Sequence, residues 1–273
     1  MSSEHEEQYI QARRVLLDAL EALSGHRSSV VLVGAQAIYI HAGEATFGMV
    51  PYTTDADLAI DPRLLEKTPP IELAMRSAGF RHGVQPGIWL GTDDIQVDLL
   101  VPEAVGGSGR RGARLEGHDK MTARKVEGLE GALIENEVVS IGSLGAGDDR
   151  RFDIRMAGPS ALVVAKLHKL WERRDAPRRL ENKDAADIFR LLQAIETERL
   201  VAGLRRLSDD PISRMAAVNS LDFLESLFAQ LEALGIRLLR AAVTGLDDPE
   251  IAAASCVELA NDLLRSAKRE IKK

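Results

Sequence analysis

Cys256 is the single cysteine in a chain of 273 residues, so no internal disulfide and no cysteine-based zinc site can form. Its helical surroundings make it a small core residue. Aromatic residues are only 4% of the chain, too few for a base-stacking platform of the RNA-recognition kind. No apolar run approaches the ~20 residues needed to span a bilayer. The opening MSSEHEEQYI lacks the apolar centre of a signal peptide. Together these absences point to a reducing, cytoplasmic compartment without membrane contact. Basic charge is also short: the formal net charge is −7. Bulk attraction to duplex DNA is thereby excluded, while a local basic groove is not.

What is present is ordinary for a globular protein: 45% hydrophobic and 28% charged residues. At ~150 residues per domain the length suggests about two domains. Residues 6–24 carry apolar side chains at helical spacing, up to Gly25. SSVVLVG (28–34) is a short apolar run ending in glycine, which predicts a buried strand. A short helix over AQAIYIHAG (35–43) follows, and TTDADLAID (53–61) alternates like a strand. IELAMRSAG predicts a helix, and GIWLGTDD with IQVDLLVP predicts a hairpin. Residues 104–117 are rich in Gly and Arg and read as a mobile loop. Strand patterns recur at EVVSIGSL and RFDIRMAG. From Pro159 the pattern turns helical, with Pro159 in the first turn where its missing N–H is harmless. Two helices, PSALVVAKLHKLWERR and LENKDAADIFRLLQAI, precede a helical tail (197–273) broken near Asp209–Pro211 and Leu246–Pro249. The expected fold class is α+β: a mixed sheet flanked by helices over 1–158, then an all-helical region over 159–273.

Three carboxylates carry the chemistry. Asp55 and Asp57 stand two apart on one strand, so both face the same way and can grip one cation. Asp98 is a lone acid in an apolar strand, where an unpartnered carboxylate is costly. Oxygen-only ligands on neighbouring strands suit Mg²⁺, and such ions can orient a hydroxyl against a nucleotide phosphate. The plainer readings are a solvated strand end for the Asp-x-Asp pair and an arginine partner for Asp98. Upstream, VVLVGAQA runs from strand through glycine into a helix N-terminus, where backbone N–H groups can meet a phosphate.

Residues 30–101 resemble the minimal nucleotidyltransferase domain of the DNA polymerase β superfamily. That pattern is an apolar strand, a Gly-Gly or Gly-Ser turn, a helix, an Asp-x-Asp strand and a third Asp on a later strand. Here those positions read Gly34-Ala35, Asp55-Ala56-Asp57 and Asp98. Ala35 departs from the usual Gly or Ser, so Gln36 or Thr54 would supply the missing polar contact to phosphate. The spacing from Gly34 to Asp55 is longer than usual, and the extra length, GEATFGMVPY, suits a loop over the site.

The second half is similar to the abortive-infection AbiEii group, including the MenT-type toxins. That group shows a lysine on one helix, an arginine, then a Lys/Arg-Asp pair opening the next helix. Here these are Lys166, Arg173, Lys183 and Asp184, and the likeness covers roughly residues 28–194. Read on their own, Lys166, Lys169 and Arg173 share one helical face. That face can neutralise phosphates, or simply hold solvated charge. His168 and Trp171 read as packing or surface residues, and Trp89 as a cover for the sheet. A second basic set, Arg110, Arg111, Arg114, Lys120, Arg124 and Lys125 with His118, could track an RNA end or be a solvated loop.

The resemblance implies a metal-dependent nucleotidyltransferase using Mg²⁺ or Mn²⁺ and a nucleoside triphosphate. Asp55, Asp57 and Asp98 would bind metal, and Asp98 would also act as a base. Gly34, Ala35, Gln36, Thr54 and Lys166 would hold the nucleotide, with Asp184 orienting Lys166. It further implies a toxin acting on tRNA 3′ ends, with an antitoxin protein as partner. Transfer to a small molecule such as an aminoglycoside is the alternative within enzymes. A non-catalytic nucleotide-binding or interaction module is the alternative outside them.

Overall fold

A computed structural model describes residues 2–43 and 53–271. The predicted loop GEATFGMVPY therefore falls almost wholly outside the described residues. Helix α1 (Ser2–Ala22) leads into strand β1 (Val30–Val33), whose four side chains are all buried. Helix α2 (Gly34–Ala42) follows directly and stops at Gly43, which adopts the left-handed backbone that glycine tolerates (φ 73°). Then come β2 (Asp55–Ile60), α3 (Ile71–Ser77), β3 (Arg81–His82), β4 (Ile88–Leu90), β5 (Gln96–Pro102) and β6 (Arg124–Val126). Strands β7 (Asn136–Gly142) and β8 (Arg151–Ala157) complete the sheet.

Among the described residues eight strands form one mixed sheet in the order β3-β4-β5-β2-β1-β8-β7, with β6 also on β5. β1 runs antiparallel to β2 and parallel to β8, and β2 runs parallel to β5. β4 pairs with residues 96–98 of β5, and β6 with 100–102. β5 is apolar on one face, where Val97, Leu99 and Val101 are fully buried. This alternation leaves Gln96 and Asp98 for the other face. The expected hairpin over 88–102 is present, with Asp93 and Asp94 taking positive φ in its turn.

The Gly- and Arg-rich stretch differs from its sequence reading. Gly112 bridges to Arg124, Ala113 N–H donates to Ala123 C=O over 2.9 Å, and Ala113 and Leu115 are buried. Apolar side chains inside the polar stretch pin it to the sheet.

After β8 the chain is helical: α4 (Pro159–Arg173), α5 (Asn182–Ala194), α6 (Thr197–Asp209), α7 (Arg214–Phe228), α8 (Leu234–Val243) and α9 (Pro249–Ile271). The tail breaks at both expected places, and again between α7 and α8. Gly235 explains the close α7–α8 corner, since a Cβ there would stand 2.7 Å from Leu227 O. The described residues divide into two compact units. One contains 2–37, 53–126 and 136–157; the other contains 38–43, 127–135 and 158–271. Cys256 is fully buried, and burial pushes its thiol pKa up. No helix among the described residues is long and apolar enough to cross a membrane.

Candidate active site

The strand register brings the three aspartates together. Asp57 lies directly opposite Asp98 in the parallel β2–β5 pair, and Asp55 lies opposite Gln96. Directly paired residues turn to the same face, so Asp55, Asp57 and Asp98 share one side of the sheet. Asp98 is only 6% exposed. Its Oδ2 accepts from Arg124 Nη2 over 2.6 Å and its Oδ1 from Gln96 Nε2 over 2.7 Å. Burial raises the Asp98 pKa, the Arg124 guanidinium and the Gln96 amide pull it back, and the Asp55 charge raises it; the outcome is above the usual carboxylate value.

Gly34 closes the turn from β1 into α2 with φ 70°. A Cβ at this position would stand 2.7 Å from Asp57 Cγ and 2.8 Å from its Cβ. Glycine is therefore required twice, for its backbone and for the approach of Asp57. Ala35 and Gln36 stand in the first turn of α2 and are buried. Gln36 turns inward: its Oε1 accepts from Arg13 Nε over 2.8 Å, and its Nε2 donates to the backbone O of Asp55 over 3.2 Å. Arg13 is itself tied to Tyr9 Oη and Gly142 O. The chain Arg13–Gln36–Asp55 thus fixes the start of β2 from α1. Thr53 is buried and its hydroxyl donates to Asp55 Oδ1. Thr54 is exposed beside it.

A cleft of about 570 Å³ opens next to Asp55. Its walls include Glu7, Gln11, Thr54, Asp55, Asp93 and Asp94, and none of the described residues lining it is basic. Among the described residues no group of three or more His, Cys, Asp or Glu is arranged to hold a metal ion. Asp55 and Asp57 alone still fit Mg²⁺, which commonly takes one or two carboxylates and completes its shell with water and substrate phosphate. Asp98 has both oxygens engaged by hydrogen-bond donors.

Lys166 and Asp184 lie in the second unit, within an ion cluster between α4 and α5. Lys166 Nζ donates to Asp184 Oδ1 over 2.7 Å and to Asp187 Oδ2 over 2.6 Å. Lys169 Nζ is 3.0 Å from Asp184, and Arg173 reaches Glu181 at 3.1 Å. The shared helical face expected for Lys166, Lys169 and Arg173 therefore meets Asp184 and Asp187 of α5 and Glu181 just before it. Burial alone would lower the Lys166 pKa, but Asp184 and Asp187 outweigh it and hold the pKa well above the usual value. Burial alone would raise that of Asp184, but Lys166 and then Lys169 outweigh it and hold it below. His168 packs as expected, with Nε2 3.0 Å from Ala216 O and its ring against Phe223. Trp171 stacks on Phe223 at 4.5 Å. Trp89 is fully buried, its indole donating to Thr122 O.

The basic set divides. Arg124 turns to Asp98, and Lys125 pairs with Glu103 at 2.8 Å. Arg110, Arg111, Arg114 and Lys120 are exposed. Sequence reasoning missed Gln96, Thr53 and Arg13 as supports. Gln96 was visible in principle, since it stands two before Asp98 on the same strand face. Arg13, in a helix far from the aspartates in sequence, carried no such signal.

A family profile described as Nucleotidyltransferase matches residues 12–210, most of the chain and all three aspartates. No curated protein and no solved structure matches the chain. The chain belongs to this nucleotidyltransferase family.

Proposed function

We propose that this nucleotidyltransferase moves a nucleoside monophosphate from a nucleoside triphosphate to an acceptor hydroxyl, using Mg²⁺ or Mn²⁺ held on Asp55 and Asp57. The observation that carries this reading is the β1–β2–β5 register, which sets Asp57 beside Asp98 and against the Gly34 turn. When bound, the divalent cation supplies positive charge to the α-phosphate and orients the attacking hydroxyl. The chain does the rest. Backbone N–H groups from Gly34 through Gln36 open α2 and offer the triphosphate donors at the positive end of a helix. Thr54, exposed beside Asp55, adds a hydroxyl. Asp98, whose burial raises its pKa, takes the proton from the acceptor hydroxyl. Lys166, oriented by Asp184, offsets charge on the transferring phosphate. In this reading the protein works in the cytoplasm.

For the acceptor, the AbiEii/MenT-like pattern favours the tRNA 3′ end, with an antitoxin protein as the silencing partner. The exposed Arg110, Arg111, Arg114 and Lys120 support it, as cations suited to a phosphate backbone. A second reading has its own support: the cleft at Asp55 is lined by Glu7, Asp93 and Asp94, which suits a small cationic acceptor such as an aminoglycoside.

The experiment is label transfer. Purified protein, Mg²⁺ and each α-labelled nucleoside triphosphate are incubated with total tRNA or with an aminoglycoside panel, beside an Asp55→Ala/Asp57→Ala control. Label on tRNA from wild type alone establishes the first acceptor; label on the small molecules establishes the second. No label on either, with nucleotide bound, moves the acceptor to a protein. No label and no nucleotide binding overturns the reading.

A further inference from the structure

Arg124 is a cation already built into the carboxylate face. It sits opposite Leu100 in the parallel β5–β6 pair. Leu100 is two residues beyond Asp98 on β5, so Asp98, Leu100 and Arg124 turn to one face. Arg124 Nη2 meets Asp98 Oδ2 at 2.6 Å, while Gln96 holds Oδ1. Both oxygens of the third carboxylate are thus taken by protein donors. The approach depends on Gly87, since a Cβ there would stand 2.7 Å from Arg124 N and 2.8 Å from Arg124 Cβ.

The contact is single-toothed. Among the described residues only Nη2 meets the carboxylate, and Arg124 Nε is buried with no hydrogen-bond partner. Arginine–carboxylate pairs gain their geometric lock from two parallel N–H···O bonds. A one-bond pair on a side chain that is 28% exposed is easier to rotate away.

We propose that Arg124 gates the third carboxylate: in the ligand-free protein it keeps Asp98 out of cation coordination, so one divalent cation loads on Asp55 and Asp57 and a second loads only after the guanidinium lets go. A guanidinium and a divalent cation compete for the same lone pairs and repel each other. An incoming triphosphate is the chemical class that would draw Arg124 away, because its oxygens accept from the same fork. The proposal rests on the metal-dependent reading above.

The test is Mn²⁺ binding without nucleotide, read as stoichiometry by calorimetry and by the loss of the free-ion electron-resonance signal. Wild type should bind a single ion, lost in Asp57→Asn. Arg124→Gln should bind a second ion, lost again in Arg124→Gln/Asp98→Asn. Arg124→Met keeps the apolar stem and replaces the Gln variant if thermal unfolding shows that variant unfolded. A single ion in both Arg124 variants overturns the gate and leaves the metal reading standing. A second ion in wild type also overturns the gate, because Asp98 is then open. No ion in wild type overturns both.

Discussion

Gly34 and Asp57 are in contact, the α-carbon of one packed against the carboxylate of the other so closely that a methyl group between them would overlap it. The turn into α2 and the middle acid of β2 therefore share one space. Gly34→Ala should cost ~1–2 kcal/mol for a left-handed alanine and should displace Asp57 as well. Label transfer is expected to fall by roughly 100-fold, the scale of an ~1 Å misplacement at a reacting centre. Denaturant unfolding and transfer rate, measured on the same preparation, separate the two effects.

Asp57→Ala and Asp55→Ala should abolish nucleotidyl transfer with the fold intact. Neither residue is fully buried, so the unfolding midpoint should stay near wild type. An Asp57→Ala protein that still transfers label overturns the metal assignment.

Lys166→Met leaves Asp184 and Asp187 buried without their shared cation. Breaking a buried pair in this way costs ~3–5 kcal/mol. Adding Asp184→Asn and Asp187→Asn to the same chain should recover part of that loss, which a mutant cycle by urea unfolding measures. If Lys166 also serves the phosphate, the triple variant regains stability and stays inactive. Recovery of both assigns Lys166 to packing alone.

The same cluster sets an acid limit on stability. Asp184 is held below its usual 3.8, so its contribution is present above that value and is lost as pH falls through the depressed one. Lys166 is held above its usual 10.5, so its contribution is present below that value and is lost only as pH rises through the raised one. Urea midpoints should be flat through neutral pH and fall below about pH 4. The fall should be shallower in Lys166→Met/Asp184→Asn/Asp187→Asn.

Gln36→Ala tests the link from α1 to β2. It removes the bridge between Arg13 and the backbone of Asp55, and leaves Arg13 Nε buried without that partner. A loss of ~1–3 kcal/mol is expected, together with weaker cation binding at Asp55. Cation affinity unchanged at reduced stability would limit Gln36 to the core.

Local spacing in the sequence already determined a large part of this protein. Period two in TTDADLAID put Asp55 and Asp57 on one face, and the apolar run before Gly34 gave β1 and its turn. Helical spacing put Lys166, Lys169 and Arg173 on one side of α4, and Pro159 marked where that helix begins. Each of these follows from a residue's immediate neighbours, because side-chain direction repeats every two residues in a strand and every 3.6 in a helix. The partners across that space were decided by tertiary structure. β3 has two residues and β6 three, too few to show a period, so the strand that carries Arg124 was read as part of a basic loop. Its pairing beside β5 is a contact made over 26 residues of chain, and that contact turned a supposed RNA-facing arginine toward Asp98. Asp187 joined Lys166 in the same way, through the packing of α5 on α4. Periodicity reports which face a side chain takes; what stands opposite that face is set by strand register and helix packing over long separations.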